Sequence, residues 1–141
     1  MKLAIVDDNK LEQELIFNTL RTYEHERNIS LDISSYSDGN SFLNTYVPGD
    51  FDLIFMDIYL NELNGIDIVR KIRQMDSKVM IVFLTTSKEY IFEAAPFHFF
   101  DYILKPFEST QIFHVLDDAL ALLPEQEAEL SFEYRSFDVH F

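Results

Sequence analysis

Five times over, a short apolar run in this chain gives way to a longer segment of helical period. That alternation constrains the fold more than any other feature. Leu3 to Val6 reads as a first strand ending at Asp7-Asp8, and from about Leu11 to Tyr23 the residues Leu11, Leu15 and Leu20 recur as on a helix face. Leu31 to Tyr36 alternates like a strand with Ser37-Asp38-Gly39 as its turn, and a short helix over Asn40 to Tyr46 stops at Pro48-Gly49. Phe51 to Met56 is a third strand closed by Asp57, and Asn64-Gly65 opens a helix carrying Ile66, Val69, Ile72 and Arg73 about a turn apart. Val79 to Leu84 is a fully apolar fourth strand ending in Thr85-Thr86, and a helix near Glu89 to Ala95 stops before Pro96. Tyr102 to Leu104 is a fifth strand ended by Lys105-Pro106, and the helix from about Ser109 to Leu123 shows Ile112, Leu116, Leu120 and Leu123 on one side. Strands that each lead into a helix call for an α/β fold, a parallel sheet covered on both faces. Right-handed crossovers leave few ways to wind it.

A boundary is expected after residue 123. Pro124 to Glu129 is an acidic stretch without apolar period, a linker in its composition. Beyond it Leu130, Phe132 and Tyr134 alternate with polar residues, as do Phe137, Val139 and Phe141, so residues 130–141 read as the truncated start of a second, β-rich unit.

The composition narrows the function. A chain of 141 residues with 48% hydrophobic residues and 14 Phe has material for one packed core and does not belong to the disordered class. A net charge of −14 repels nucleic acid and anionic membranes, so this chain is not expected to bind DNA itself. The only basic cluster, Arg70, Lys71 and Arg73, reads as a solvated helix face. Without cysteine there is no disulfide framework and no thiolate chemistry. Acids at Asp7-Asp8 come too soon for a signal peptide and no apolar run approaches membrane-spanning length, which points to the cytoplasm. His25, His98, His114 and His140 do not stand at metal-ligand spacing and receive no role.

In doubly wound sheets, ligands bind beyond the carboxyl ends of the strands, at the switch point of strand order. The strand ends here supply Asp7 and Asp8, then Asp57, then Thr85, then Lys105. If the strand order is 2-1-3-4-5, the first and third strands are neighbours and three carboxylates converge. Such a group repels itself unless a hard cation joins it, and Mg2+ is the natural candidate. Lys105 would add a fixed positive charge and Thr85 a hydroxyl donor. The set suits phosphoryl transfer to an aspartate nucleophile. With no Gly-rich phosphate loop in the chain, a nucleotide is not the evident donor.

Ile5-Val6-Asp7-Asp8, Asp52 to Asp57, Asn64-Gly65, Phe83-Leu84-Thr85 and Asp101 to Phe107 occur in an order that resembles the receiver domains of bacterial two-component response regulators, over about residues 2 to 123. Any one piece is common; five in order, each at a strand end or loop, are specific. The resemblance implies a flavodoxin-like doubly wound (βα)5 parallel sheet with strand order 2-1-3-4-5. It implies that Asp57 is the phosphoacceptor of a partner histidine kinase. It implies Mg2+ on Asp8, Asp57 and the Tyr59 carbonyl, with Asp7 acting largely through water. Thr85 and Lys105 would bind the phosphoryl group, Thr85 and Tyr102 would shift together on activation, and Lys105-Pro106 would be a cis peptide. Within the family the chain looks closest to regulators that carry a LytTR-type DNA-binding domain, whose truncated start the tail would be. The parent protein would then switch transcription through its own C-terminal effector. Two departures are Thr86, where the family usually has a smaller residue, and Asn61, where many receivers have Pro.

Each residue also has a plainer reading. Asp7-Asp8 could cap a helix, Asp57 could be a turn residue, Thr85 a strand residue and Tyr102 a core aromatic. Lys105 fits a plain reading least well, because a lysine at a buried strand end needs a partner. Phe92, Phe97, Phe99 and Phe100 read mostly as core, with some in a possible homodimer patch on the fourth helix and fifth strand. Two other functions stay open. An Mg2+-dependent aspartyl-phosphate phosphatase would need a second Asp two residues after the nucleophile, where Tyr59 stands, so an enzyme is not expected. A receiver-like interaction module that is never phosphorylated would commonly lack the acids or the lysine, and all are present.

Overall fold

The structure, a computed structural model, describes residues 1–60 and 63–135, with side chains as far as residue 123. Its strands are β1 (Lys2–Val6), β2 (Asp32–Tyr36), β3 (Leu53–Met56), β4 (Met80–Thr85) and β5 (Asp101–Leu104). Its helices are α1 (Lys10–Arg27), α2 (Gly39–Thr45), α3 (Gly65–Met75), α4 (Ile91–Ala94) and α5 (Ser109–Arg135). All strand pairs are parallel, in the order β2-β1-β3-β4-β5. The fold is the parallel sheet covered on both faces that the strand and helix pattern predicts, in the flavodoxin-like order that the resemblance implies.

Successive strand residues point to opposite faces, and the core divides accordingly. Leu3, Ile5, Leu53, Phe55, Val82 and Leu84 pack with α1 and α5, while Ala4, Val6, Ile54, Met56, Ile81 and Phe83 pack with α2, α3 and α4. β1, β3 and β4 are apolar on both faces because both faces are covered. β2, at the edge, reads Asp-Ile-Ser-Ser-Tyr and stays partly exposed. Asn9, Asp38 and Asn64 start α1, α2 and α3 through side chains that accept backbone N–H bonds.

Three stretches differ from the sequence reading. The fourth helix stops before Pro96 as expected, but α4 starts only at Ile91 and runs directly into a 3-10 turn, Ala95–Phe97, that contains the proline. Proline fits the first turn of such a helix, where its missing N–H has no partner to lose. The helical backbone of α5 continues through Pro124 to Arg135, where the alternation of Leu130, Phe132 and Tyr134 reads as a strand. Glu, Gln, Ala and Leu dominate this stretch, and a running helix extends over such residues without a new nucleus. The remainder of the expected β-rich unit, residues 136–141, and Asn61 lie outside the described residues. The third difference is Arg73. Its guanidinium donates to the carbonyls of Phe97 (2.8 Å), His98 (3.0 Å), Val79 (2.7 Å) and Asp76 (3.3 Å), so it ties α3 to the turn before β5 and is no solvated cation.

Gly65 sets how closely α3 approaches the carboxyl end of β3. Its N–H donates to the Ile58 carbonyl at 2.8 Å, and a Cβ at this position would overlap the Asp57 carbonyl oxygen. Gly65→Ala is expected to destabilise the domain by about 1–3 kcal/mol, as overpacking against backbone does. Urea unfolding measures the loss, and the Asp57 amide resonance should shift with it.

Candidate functional site

The backbone ladder carries each strand-end residue into place. Asp7 N–H donates to the Tyr36 carbonyl (3.0 Å), Asp57 N–H to the Val6 carbonyl (3.0 Å) and Lys105 N–H to the Thr85 carbonyl (2.7 Å). These bonds fix the ends of β1, β3 and β5 against their neighbours at the switch point, where β1 separates β2 from β3. The peptide bond between Lys105 and Pro106 is cis.

The carboxylates of Asp7, Asp8 and Asp57 converge, with ligand atoms all within 4.8 Å of one another. Asp7 and Asp57 are buried and Asp8 is half-buried. The Lys105 ammonium lies 2.7 Å from Asp7 Oδ2 and 3.7 Å from Asp57 Oδ2, with only 8% of its side chain exposed. Burial alone would lower the Lys105 pKa, but the hydrogen bond to Asp7 and the charges of Asp57, Asp7 and Glu12 outweigh it and hold the group cationic. Asp57 is pushed up to about 6, first by burial, and then by Asp7 and Asp8 against the pull of Lys105 and the Tyr59 N–H. That N–H donates to Asp57 Oδ1 at 3.2 Å.

Thr85 is fully buried, and among the described residues its hydroxyl is the one buried side-chain polar atom with no hydrogen-bond partner. Leaving such a group unpaired costs about 1–3 kcal/mol, so its persistence asks for a ligand. An all-oxygen donor set under mutual repulsion fits a hard divalent cation, whose charge would remove the repulsion that raises Asp57.

Tyr102 is half-buried; its hydroxyl donates to the Ser87 carbonyl at 2.5 Å, and its ring lies 6.0 Å from that of Phe83 and 5.8 Å from that of Phe99. Thr86 is exposed at the end of β4. Phe97 and Phe99 pack on the core face of α2, α3 and α4 and Phe100 on the opposite face, whereas Phe92 is 90% exposed.

Two groups at the site escaped the sequence reading. Gln13, buried on α1, donates to the Asp7 carbonyl (2.5 Å) and to Ser37 Oγ (3.0 Å), bracing the turn that carries the acid pair. Glu12 places Oε2 at 3.8 Å from Lys105 Nζ. The only signal for Glu12 was Asn9-x-x-Glu12, a capping-box spacing. Here the Asn9 N–H goes to Asp7 Oδ1 (2.9 Å), and the Glu12 carboxylate faces the lysine.

The profile of the response regulator receiver domain matches residues 3–117. The chain belongs to the response regulator receiver family. It is 34% identical to the protein MrkE of Klebsiella pneumoniae over 82% of this chain and 42% of that protein. It is 30% identical to the sensory transduction protein LytR of Staphylococcus saprophyticus over 92% of this chain and 50% of that protein. The chain thus spans about half the length of these relatives. The crystal structure of the response regulatory domain of MrkE superposes with a TM-score of 0.75 at 32% identity, covering 89% of this chain and 99% of that one. The response regulator TrrA of Thermotoga maritima, solved in complex with Mg2+-BeF, shares the fold with a TM-score of 0.72 at 20% identity, covering 84% of this chain and 97% of that one.

The elevated Asp57 carboxyl gives a pH prediction. Its folded pKa, about 6, exceeds the usual 3.8, so the folded receiver takes up a proton that the unfolded chain does not as pH falls from 6 toward 4. Metal-free protein should therefore gain stability over that window. Asp57→Asn should be more stable than wild type at pH 8 by roughly 1–3 kcal/mol, a margin that falls to about half near pH 5 and closes below about pH 4. Melting curves in EDTA from about pH 4 to 8 measure it; a constant margin would contradict the assignment.

Proposed function

We propose that this receiver is phosphorylated on Asp57 by a partner histidine kinase and thereby switches a C-terminal DNA-binding effector of its parent protein. The observation that carries this reading is the pairing of the Lys105 ammonium and the unpartnered Thr85 hydroxyl around one buried carboxylate. Family membership and the printed function of LytR, sensory transduction, support it. The expected LytTR-type effector beyond the receiver belongs to the same proposal.

An Asp57 oxygen attacks phosphorus and forms the new P–O bond. The donor's P–N bond breaks, and its electron pair returns to the imidazole of the kinase. Lys105 turns from Asp7 toward the developing charge on the peripheral oxygens, and Thr85 donates its hydroxyl to one of them. The Tyr59 N–H steadies Asp57 Oδ1. Asp8, Asp57 and the Tyr59 carbonyl would hold Mg2+, with Asp7 reaching it through water. When bound, the ion neutralises the clustered carboxylates and the phosphoryl oxygens. TrrA, with the same fold, accepts Mg2+-BeF.

The reaction ends in a stored acyl phosphate, so we assign signalling and no turnover chemistry. On phosphorylation, Thr85 moves toward the phosphoryl group, and Tyr102 exchanges its bond to the Ser87 carbonyl for an inward position. α4 and β5, with exposed Phe92, form the surface that reports the state and can join two copies. The net charge of −14 supports leaving DNA contact to the effector. No described helix is long and apolar enough to cross a membrane, and the cytoplasm is the proposed location.

Incubation with acetyl phosphate and Mg2+ should add one phosphoryl group to the wild type and none to Asp57→Asn, read by intact mass; equal labelling would end this reading. Asp8→Asn should weaken Mg2+ binding by about tenfold or more, since a hard cation loses one of its few charged ligands, while the melting temperature stays level or rises. In the wild type, beryllofluoride should move amide resonances of Tyr102 and α4 as well as those around Asp57. Shifts confined to the loops beside Asp57 would remove the switch.

A further inference from the structure

The receiver has a fourth acid at its phosphoacceptor pocket. The Lys105 ammonium touches Asp7, Asp57 and Glu12, and Glu12 stands on the solvent side, with 36% of its side chain exposed against 2% for Asp7 and 9% for Asp57. Its position is built in. Glu12 lies in the first turn of α1, where the Asn9 side chain accepts its N–H at 3.1 Å. The reciprocal capping contact is closed to it, because Asp7 takes the Asn9 N–H. Its neighbour Leu11 is 77% exposed, so this turn faces solvent at the edge of the pocket.

We propose that Glu12 is a specificity-determining residue for the phosphodonor, disfavouring free, highly anionic acyl phosphates at the rim beside Lys105. The inference rests on the phosphoacceptor reading of Asp57. A free donor such as acetyl phosphate approaches as a dianion. In the transfer, an Asp57 oxygen bonds to phosphorus while the anhydride P–O bond breaks, and its electron pair leaves with acetate. Glu12 and Asp57 lie 3.8 and 3.7 Å from the same ammonium, so a dianion arriving at Asp57 feels the Glu12 charge within the screening distance of about 8–10 Å. Glu12 also draws on the same ammonium that must turn to the incoming phosphoryl group. A donor displayed on a protein can carry its own cation to meet Glu12; a small anion cannot.

The test compares Glu12→Gln with Glu14→Gln, an exposed acid on the same helix with no contact to Lys105. At saturating Mg2+, Glu12→Gln should lower the KM for acetyl phosphate by roughly three- to tenfold, the size of one partly screened charge, with the limiting rate unchanged. The drop should be smaller for phosphoramidate, which carries less negative charge. Glu14→Gln should leave both constants unchanged. Equal effects of the two variants, or a fall in limiting rate without a change in KM, would overturn the proposal. Wild type labelled on a residue other than Asp57 would overturn the phosphoacceptor reading, and this inference with it.

Discussion

The Lys105 ammonium is the constraint on which the rest of the site depends. Three buried or half-buried carboxylates converge at one end of the sheet, and burial, with the charges of Asp7 and Asp8, has raised the Asp57 pKa. A single cation at 2.7 Å from Asp7 and 3.7 Å from Asp57 opposes that rise. The two distances differ for a reason. The lysine is seated on Asp7, where its hydrogen bond is made, and stands only near Asp57. Its second position is thus available to a phosphoryl oxygen, at the cost of a bond it already has.

Thr85 has the opposite imbalance. Lys105 is shared among more acids than it can satisfy, while the Thr85 hydroxyl has no acceptor at all. The proposed phosphoryl group on Asp57 would relieve both imbalances at once. Tyr102, held on the Ser87 carbonyl beside Phe83 and Phe99, lies on β5 at the adjoining edge of the sheet.

Much of this was legible in the sequence because strand ends are legible. Apolar runs bounded by Asp7-Asp8, Asp57, Thr85 and Lys105 locate the residues along the chain, and strand order brings them together. What could not be read depends on side-chain direction. Glu12 has the spacing of a capping residue, and only the prior claim of Asp7 on the Asn9 N–H turns it to the lysine. Arg73 sits in a basic triplet that looks solvated; its role follows from four carbonyls contributed by segments from Asp76 to His98. The strand-like alternation of Leu130, Phe132 and Tyr134 misleads for another reason. Period-2 alternation of apolar residues also occurs by chance in helix-forming composition, and the helix already under way prevailed.

The Arg73 clamp has a mechanical consequence. It grips the carbonyls of Phe97 and His98, where the segment carrying α4 turns into β5. At the other end of that segment, Tyr90 begins a four-residue helix with no side-chain cap. One end is fastened by hydrogen bonds to the main chain, the other by the Tyr90 ring, 5.5 Å from that of Tyr59 and packed on the core. Exposed Phe92 thus stands between two fastenings of different kinds, one polar and directional, the other apolar and adaptable.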